Sequence, residues 1–279
     1  MAAMLPYVMR TRAGSTVYYS RDIDVENALA FVHRRNAGTP GARYSLFGVV
    51  LAAAVRVFAL KPRLNRFVNR RGMYEHRDLH FSFIVKPTLT ESAPDRSAKI
   101  RFEPSDTVSR VVAKTNAAVD ALRSAEPTPD EREMSFVGSF PGGRALSTFL
   151  FRLLDSWNLA PLYMLRSDPL FTSAYFANLG SLGLETPYHH LYEWGTASLF
   201  ITMGRIFRKD GGKAAGRRCV TLKISLDERI ADGIYFAHAA SLMARFIGKP
   251  EELDMPLDAF VAADSRDDLR DRPEDLDCT

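Results

Sequence analysis

The chain has 279 residues, is 46% hydrophobic and 25% charged, and contains two cysteines. That length buries a large core, and the balance excludes a coiled coil, a low-complexity chain and a disulfide scaffold. The net charge of +4 hides an asymmetry: residues 251–279 hold 11 acids and 3 bases, leaving 34 bases against 22 acids in residues 1–250, so the body suits an anionic ligand or its own tail.

The N-terminal residues lack an apolar run of signal-peptide length. The longest apolar stretch, 46–60, is broken by Arg56 and is too short to cross a bilayer. These features predict a cytoplasmic, reduced protein with no membrane partner.

In chain order, residues 15–25 (STVYYSRDIDV) alternate as a strand with one buried face. Asp24 then caps a helix over 25–35 with Ala28, Leu29, Phe31 and Val32 on its apolar side. A helix over 45–60 is apolar nearly all round, which predicts full burial, and Pro62 ends it. Residues 63–71 are basic. Strands follow at 80–86 and 97–102, then a helix at 105–123 with a stripe of Val108, Val111, Val112, Thr115 and Val119. Residues 126–133 (EPTPDERE) read as a surface linker. The stretch 145–165 has Leu146, Phe149, Leu150, Leu153 and Leu154 at helical spacing. Strands are predicted at 173–179, 197–207 and 218–226, the last two joined by the glycine-rich turn DGGKAAG. A helix at 231–247 ends at Gly248 and Pro250. The pattern is an α+β fold: a single domain over 1–256, with 257–279 as a flexible acidic tail.

The segment most informative about chemistry is VTLKISLDERIADGIYF, residues 220–236. Its Asp227-Glu228-Arg229-Ile230-Ala231-Asp232-Gly233 resembles the D-H-R-x-x-D-G signature of the chloramphenicol acetyltransferase and dihydrolipoyl acyltransferase superfamily. Other stretches resemble the family in order: residues 17–25, the Pro62-Arg63-Leu64-Asn65 turn after the buried helix, and Phe176-Ala177-Asn178-Leu179-Gly180-Ser181-Leu182-Gly183 before the strand ASLFITMG. The resemblance spans roughly residues 5–250. It implies a chloramphenicol acetyltransferase-like mixed sheet flanked by helices, a homotrimer or larger homo-oligomer with sites between subunits, and acyl transfer from a thioester to a small acceptor.

In that family the motif His is the general base, and a hydroxyl from the N-L-G strand of a neighbouring subunit binds the oxyanion. Here Glu228 stands at the base position and Ala177 at the hydroxyl position. Three readings stay open. Glu228 is a surrogate base, its carboxyl tuned by burial between subunits. Alternatively the base has moved to His189 or His190, in YHHLYEW. Or the site is inactive, and the fold serves as a ligand-binding or assembly subunit. Asp232 and Arg229 would hold the loop, Asn178 would line the site, and Arg63, Arg66 and Arg70 (with Arg71 beside them) would meet the phosphates of a coenzyme A thioester. The family-like region begins too near the N-terminus to leave room for a lipoyl domain, so no covalent lipoyl group is expected. His76 and His80 lack a third ligand at metal spacing and read as surface residues. No nucleic-acid motif accompanies the basic charge. Trp157 and Trp194 read as packing residues.

Overall fold

Along the described residues the α-helices and strands are, in chain order, α1 (Leu5–Val8), β1 (Thr16–Asp24), α2 (Glu26–Gly38), α3 (Leu46–Leu60), β2 (Arg66–Asn69), β3 (Gly72–Glu75), β4 (Leu79–Val85), β5 (Arg96–Phe102), α4 (Val108–Ser124), α5 (Gly143–Ser156), α6 (Leu162–Ser167), β6 (Ala174–Asn178), β7 (Leu199–Arg208), β8 (Arg218–Asp227), α7 (Gly233–Gly248) and α8 (Leu257–Ala263). The structure is a computed structural model that describes residues 4–39, 41, 43–70, 72–85, 96–124, 143–157, 159–211 and 216–264. The expected linker at 126–133, Arg71 and Cys278 lie outside the described residues.

Six strands form one mixed sheet in the order β1-β8-β7-β6-β4-β5, and β2 and β3 form a separate hairpin. β4, β6 and β7 run parallel; β5, β8 and β1 are antiparallel to their neighbours. Strand alternation separates two faces. One face turns Phe81, Phe176, Ile201 and Ile224 into the main core beneath α2, α3, α4 and α7. The other carries Tyr175 and Phe200, packed with Leu191 and Ala197 from the segment before β7.

α3 is buried on nearly every side, as its uniform apolar composition predicts. Ser45 caps it, its hydroxyl accepting from the Gly48 backbone N at 3.1 Å. A Cβ at Gly48 would stand 3.0 Å from a Val112 methyl, so the glycine lets α3 and α4 approach closely. The one charge within α3, Arg56, is 1% exposed. Its guanidinium donates to the Met255 carbonyl at 2.6 Å and lies 5.6 Å from the Phe260 ring centre.

That contact corrects the expected boundary at residue 257. α8 packs Phe260 into the core against Phe246, and ion pairs Arg34–Glu251, Arg35–Asp254 and Arg245–Glu252 tie the acid-rich end to the basic body. Residues 265–279 lie outside the described residues.

Three local expectations also change. α2 begins at Glu26 rather than Val25, because the Asp24 carboxylate accepts from the Glu26 N at 3.0 Å. β1 is an edge strand with Val17 and Tyr18 exposed, so its half-buried pattern is incomplete. The single helix expected over 145–165 is two helices, and Pro161, which cannot continue a helix from within, sits at the start of the second. The Leu146, Phe149, Leu150, Leu153 and Leu154 stripe faces solvent, as does Trp157.

Candidate active site

β8 ends at Asp227, whose backbone N still bonds the Ser198 carbonyl, just before β7, at 3.0 Å. The Asp227 carboxylate is fully buried and receives three donors from Arg229: Nε at 2.8 Å, one terminal nitrogen at 2.6 Å, and the backbone N at 3.1 Å. The Ser15 hydroxyl adds a fourth at 3.0 Å. Arg229 spends a further nitrogen on the Met9 carbonyl at 3.0 Å. This doubly bonded pair clamps the junction to the N-terminal segment. Five residues on, the Asp232 carboxylate accepts from the Tyr235 N at 2.8 Å and caps α7. Tyr235 in turn accepts from the Arg63 backbone N at 2.9 Å, so the first turn of α7 fixes the turn after α3.

Glu228 sits between these anchors. Its backbone N donates to the Ser15 carbonyl at 3.0 Å, and the residue is half-buried. Among the described residues its carboxylate has no hydrogen-bond or ion-pair partner.

His189 and His190 lie on the outer sheet face. The Ser225 hydroxyl donates to the His189 carbonyl, and the His189 ring stacks on Phe200 with 3.9 Å between centres. Nδ1 of His189 is 2.7 Å from the His190 carbonyl, which makes Nδ1 the protonated nitrogen and leaves Nε2 as an acceptor. Burial holds this imidazole below its ordinary value, the bond to the His190 carbonyl raises it, and the His190 charge lowers it. Ser225 lies three residues before Glu228 along β8, so the two candidates are roughly 10 Å apart in the strand direction.

Ala177 and Asn178 end β6. Asn178 Oδ1 accepts from the Ser181 N at 3.3 Å, which leaves its amide nitrogen unengaged among the described residues. Ala177 pairs with Thr202, whose hydroxyl is buried and bonded to the Pro187 carbonyl at 2.9 Å. The register separates these residues from Glu228. Asn178 pairs with Met203, whereas Leu226 pairs with Leu199, four residues away on β7. Within one chain the two ends therefore stand at least about 13 Å apart.

The three arginines expected to meet a cofactor do not converge. Arg63 lies over the Tyr235 ring at 5.2 Å, and Arg66 pairs with Glu75 at 3.5 Å. Of the three, Arg70 alone reaches a basic hollow, a cavity of about 150 Å³ whose lining includes five arginines, Arg10, Arg12, Arg70, Arg152 and Arg229, and the two acids Asp155 and Glu193. Spacing along the sequence did not indicate Arg10, Arg12 or Arg152, because they come from two segments 140 residues apart, neither of them next to Arg70 in the chain. Its volume and basic lining match a phosphate-sized anion, and it is far too small for a whole coenzyme A.

His76 is not a surface residue. Its ring lies against Phe67, with 4.5 Å between centres, and its Nε2 is buried without a hydrogen-bond partner among the described residues. Burial, aided by the nearby His80 and Lys99 charges, pushes this imidazole down to about 4. The unfolded chain then binds the proton below pH 6.5 while the folded chain does not, so stability falls as pH drops from about 6.5 to about 4. His76→Gln is expected to remove on the order of 2 kcal/mol of that pH dependence, read from urea midpoints at pH 4.5 and 7.5. Equal slopes in both proteins would refute it. Trp194 is a packing residue, stacked on Phe151 and donating to Asp168 at 2.6 Å.

Among the described residues no helix is long and apolar enough to cross a membrane, and no three His, Cys, Asp or Glu side chains gather at metal distance.

No family model matches the sequence, and no curated protein is similar to it by sequence. Solved structures do match. A probable dihydrolipoamide acetyltransferase from Listeria monocytogenes 4b F2365 superposes with a TM-score of 0.62 at 11% identity, covering 88% of each chain. A dihydrolipoamide acetyltransferase from Azotobacter vinelandii gives 0.60 at 14% identity, over 86% of this chain and 84% of that one. A chloramphenicol acetyltransferase gives 0.56 at 10% identity, over 86% and 92%. The fold is therefore the chloramphenicol acetyltransferase-like α+β fold that the motifs predict.

Proposed function

We propose that this chain is an acyltransferase with an altered active site, moving an acyl group from a thioester, in the simplest case an acyl-coenzyme A, to a small acceptor. The observation that carries this reading is the junction after β8. Asp227, Arg229 and Asp232 are engaged in holding it, and the one carboxylate between them, Glu228, has no partner among the described residues.

In this reading Glu228 takes the proton from the acceptor as its heteroatom attacks the thioester carbonyl. A bond from acceptor to carbonyl carbon forms, the carbon–sulfur bond breaks, and the proton passes to the departing thiolate. Asn178 Nδ2 from a second copy stabilises the oxyanion, a role its free amide can take in place of the missing hydroxyl at 177. The 13 Å gap within one chain supports this arrangement, because the two groups meet only across a subunit boundary. A homotrimer or larger homo-oligomer follows; a similar structure is the cubic core of the pyruvate dehydrogenase multienzyme complex. Sedimentation showing only monomer would remove that element.

One observation favours the second reading, a catalytically inactive binding or assembly subunit. The hydroxyl in register with Ala177, that of Thr202, is closed off by its own bonds. Incubating the purified protein with a panel of acyl-coenzyme A donors and thiol, hydroxyl or amine acceptors separates the two. Release of coenzyme A that depends on both substrates is the expected result. No release across the panel would transfer the assignment to the inactive reading.

A further inference from the structure

The α5 helix is mounted with its amphipathicity reversed. Phe151 is its only buried apolar residue, stacked on Trp194. Arg152 and Asp155 turn toward the arginine-lined cavity. The opposite side, Leu146, Phe149, Leu150, Leu153, Leu154 and Trp157 at spacings of three and four, is 39–62% exposed. The apolar surface continues beyond the helix end. Leu159, whose N bonds the Leu154 carbonyl at 2.8 Å, is 68% exposed, and Leu162 and Tyr163 at the start of α6 are 67% and 73% exposed. Both helices rest on one small core of Phe151, Ala160 and Phe171 and point their remaining apolar residues outward.

The patch amounts to roughly 1,000 Å² of side-chain surface, well above the few hundred Å² usual for the largest patch on a soluble monomer. Its composition is Leu, Phe, Trp and Tyr, with no acid within it among the described residues. Among the described residues the exposed arginines beside it are Arg70, its guanidinium 4.7 Å from the Trp157 ring centre, and Arg166, three and four residues after Tyr163 and Leu162 on α6. The one carboxylate of the two helices, Asp155, faces the inner cavity instead.

We propose that the outward face of α5 and α6 docks in the plane of an anionic lipid surface, with Leu146, Phe149, Leu150 and Leu153 entering the acyl boundary and the bordering arginines meeting headgroup phosphates. An apolar stripe, interfacial aromatic residues and a cationic border are the elements of an in-plane membrane helix. Charge complementarity favours this occupant: pairing the stripe with itself across a twofold axis would bring Arg70 and Arg166 of both protomers toward one another, and a copy seated on it in a ring is the competing outcome of the test. The docking is independent of acyl transfer. It sets an in-plane contact against the sequence expectation of no membrane partner, an expectation drawn from the lack of a spanning segment.

Co-sedimentation of the full chain with phosphatidylcholine vesicles, and with an equimolar mixture of phosphatidylcholine and phosphatidylglycerol, tests the proposal. Expected are binding to the mixed vesicles only, weakening as salt rises, and a blue shift of the tryptophan emission that the Trp157→Phe variant loses. The double variant Phe149→Ser, Leu153→Ser is expected to bind at least tenfold more weakly with an unchanged thermal midpoint, both side chains being exposed. Retention of binding in a folded double variant, equal binding to both vesicle types, or no binding together with a lipid-free oligomer that the double variant dissolves would overturn it, the last assigning the patch to a second copy.

Discussion

Asp227→Ala is expected to lower the unfolding free energy by about 3–5 kcal/mol, the cost of breaking a buried ion pair from one side. The reason is what the substitution leaves behind. Arg229 is 3% exposed, and Arg12, 6% exposed, lies close enough for the two charges to oppose each other. With Asp227 gone, two buried guanidiniums face each other with no carboxylate between them. The Ser15 hydroxyl loses an acceptor as well. For a chain of this size that loss corresponds to a fall in thermal midpoint of about 6–20 °C. Asp227→Asn keeps the shape and part of the hydrogen bonding while removing the charge, so it should fall between wild type and Ala. Replacing both partners, Asp227→Leu with Arg229→Met, should recover part of the loss, since paired apolar groups of similar volume do not strand a charge. A loss below about 1 kcal/mol for Asp227→Ala would show that the clamp is not what holds the junction.

Parts of this structure were legible in the sequence for physical reasons, and other parts were not. The β8 to α7 junction was legible because a capping Asp and a helical period mark it locally. α3 was legible because a helix apolar all round has only one place to go. The 145–165 segment shows the limit of periodicity. Spacing identifies a stripe but carries no information on which way the stripe faces, and here α5 directs it to solvent. The basic run at 63–71 shows the limit of proximity along the chain. A 3₁₀ turn, a strand and a positive-φ residue at Arg70 send its side chains in different directions, while the real arginine cavity gathers from distant segments. His76 was misread because burial of one nitrogen depends on tertiary contacts with Phe67 and its surroundings. The separation of Asn178 from Glu228 follows only from strand register, which a single sequence does not state.

Register also frames the largest functional effect. Glu228→Gln is expected to reduce kcat by roughly 10²–10⁴-fold, the range for loss of a general base. The amide is isosteric, and the Glu228 side chain has no bonding partner to lose among the described residues, so the thermal midpoint and oligomeric state should stay unchanged. KM for the thioester should also stay unchanged, because proton transfer belongs to the transition state rather than to binding. Glu228→Asp, which moves the carboxylate back by one methylene, should retain a fraction of the rate. His189 is the competing base, and its geometry makes a separate prediction. The ring is stacked on Phe200 with Nδ1 spent on a carbonyl, so His189→Gln should cost less than tenfold if Glu228 is the base. The reverse pattern, an indifferent Glu228→Gln beside a collapsed His189→Gln, would move the base to Nε2 of His189. In that case kcat/KM would decline as pH falls through an imidazole value held below 6.5 by burial, since the protonated ring has no lone pair to accept the acceptor's proton.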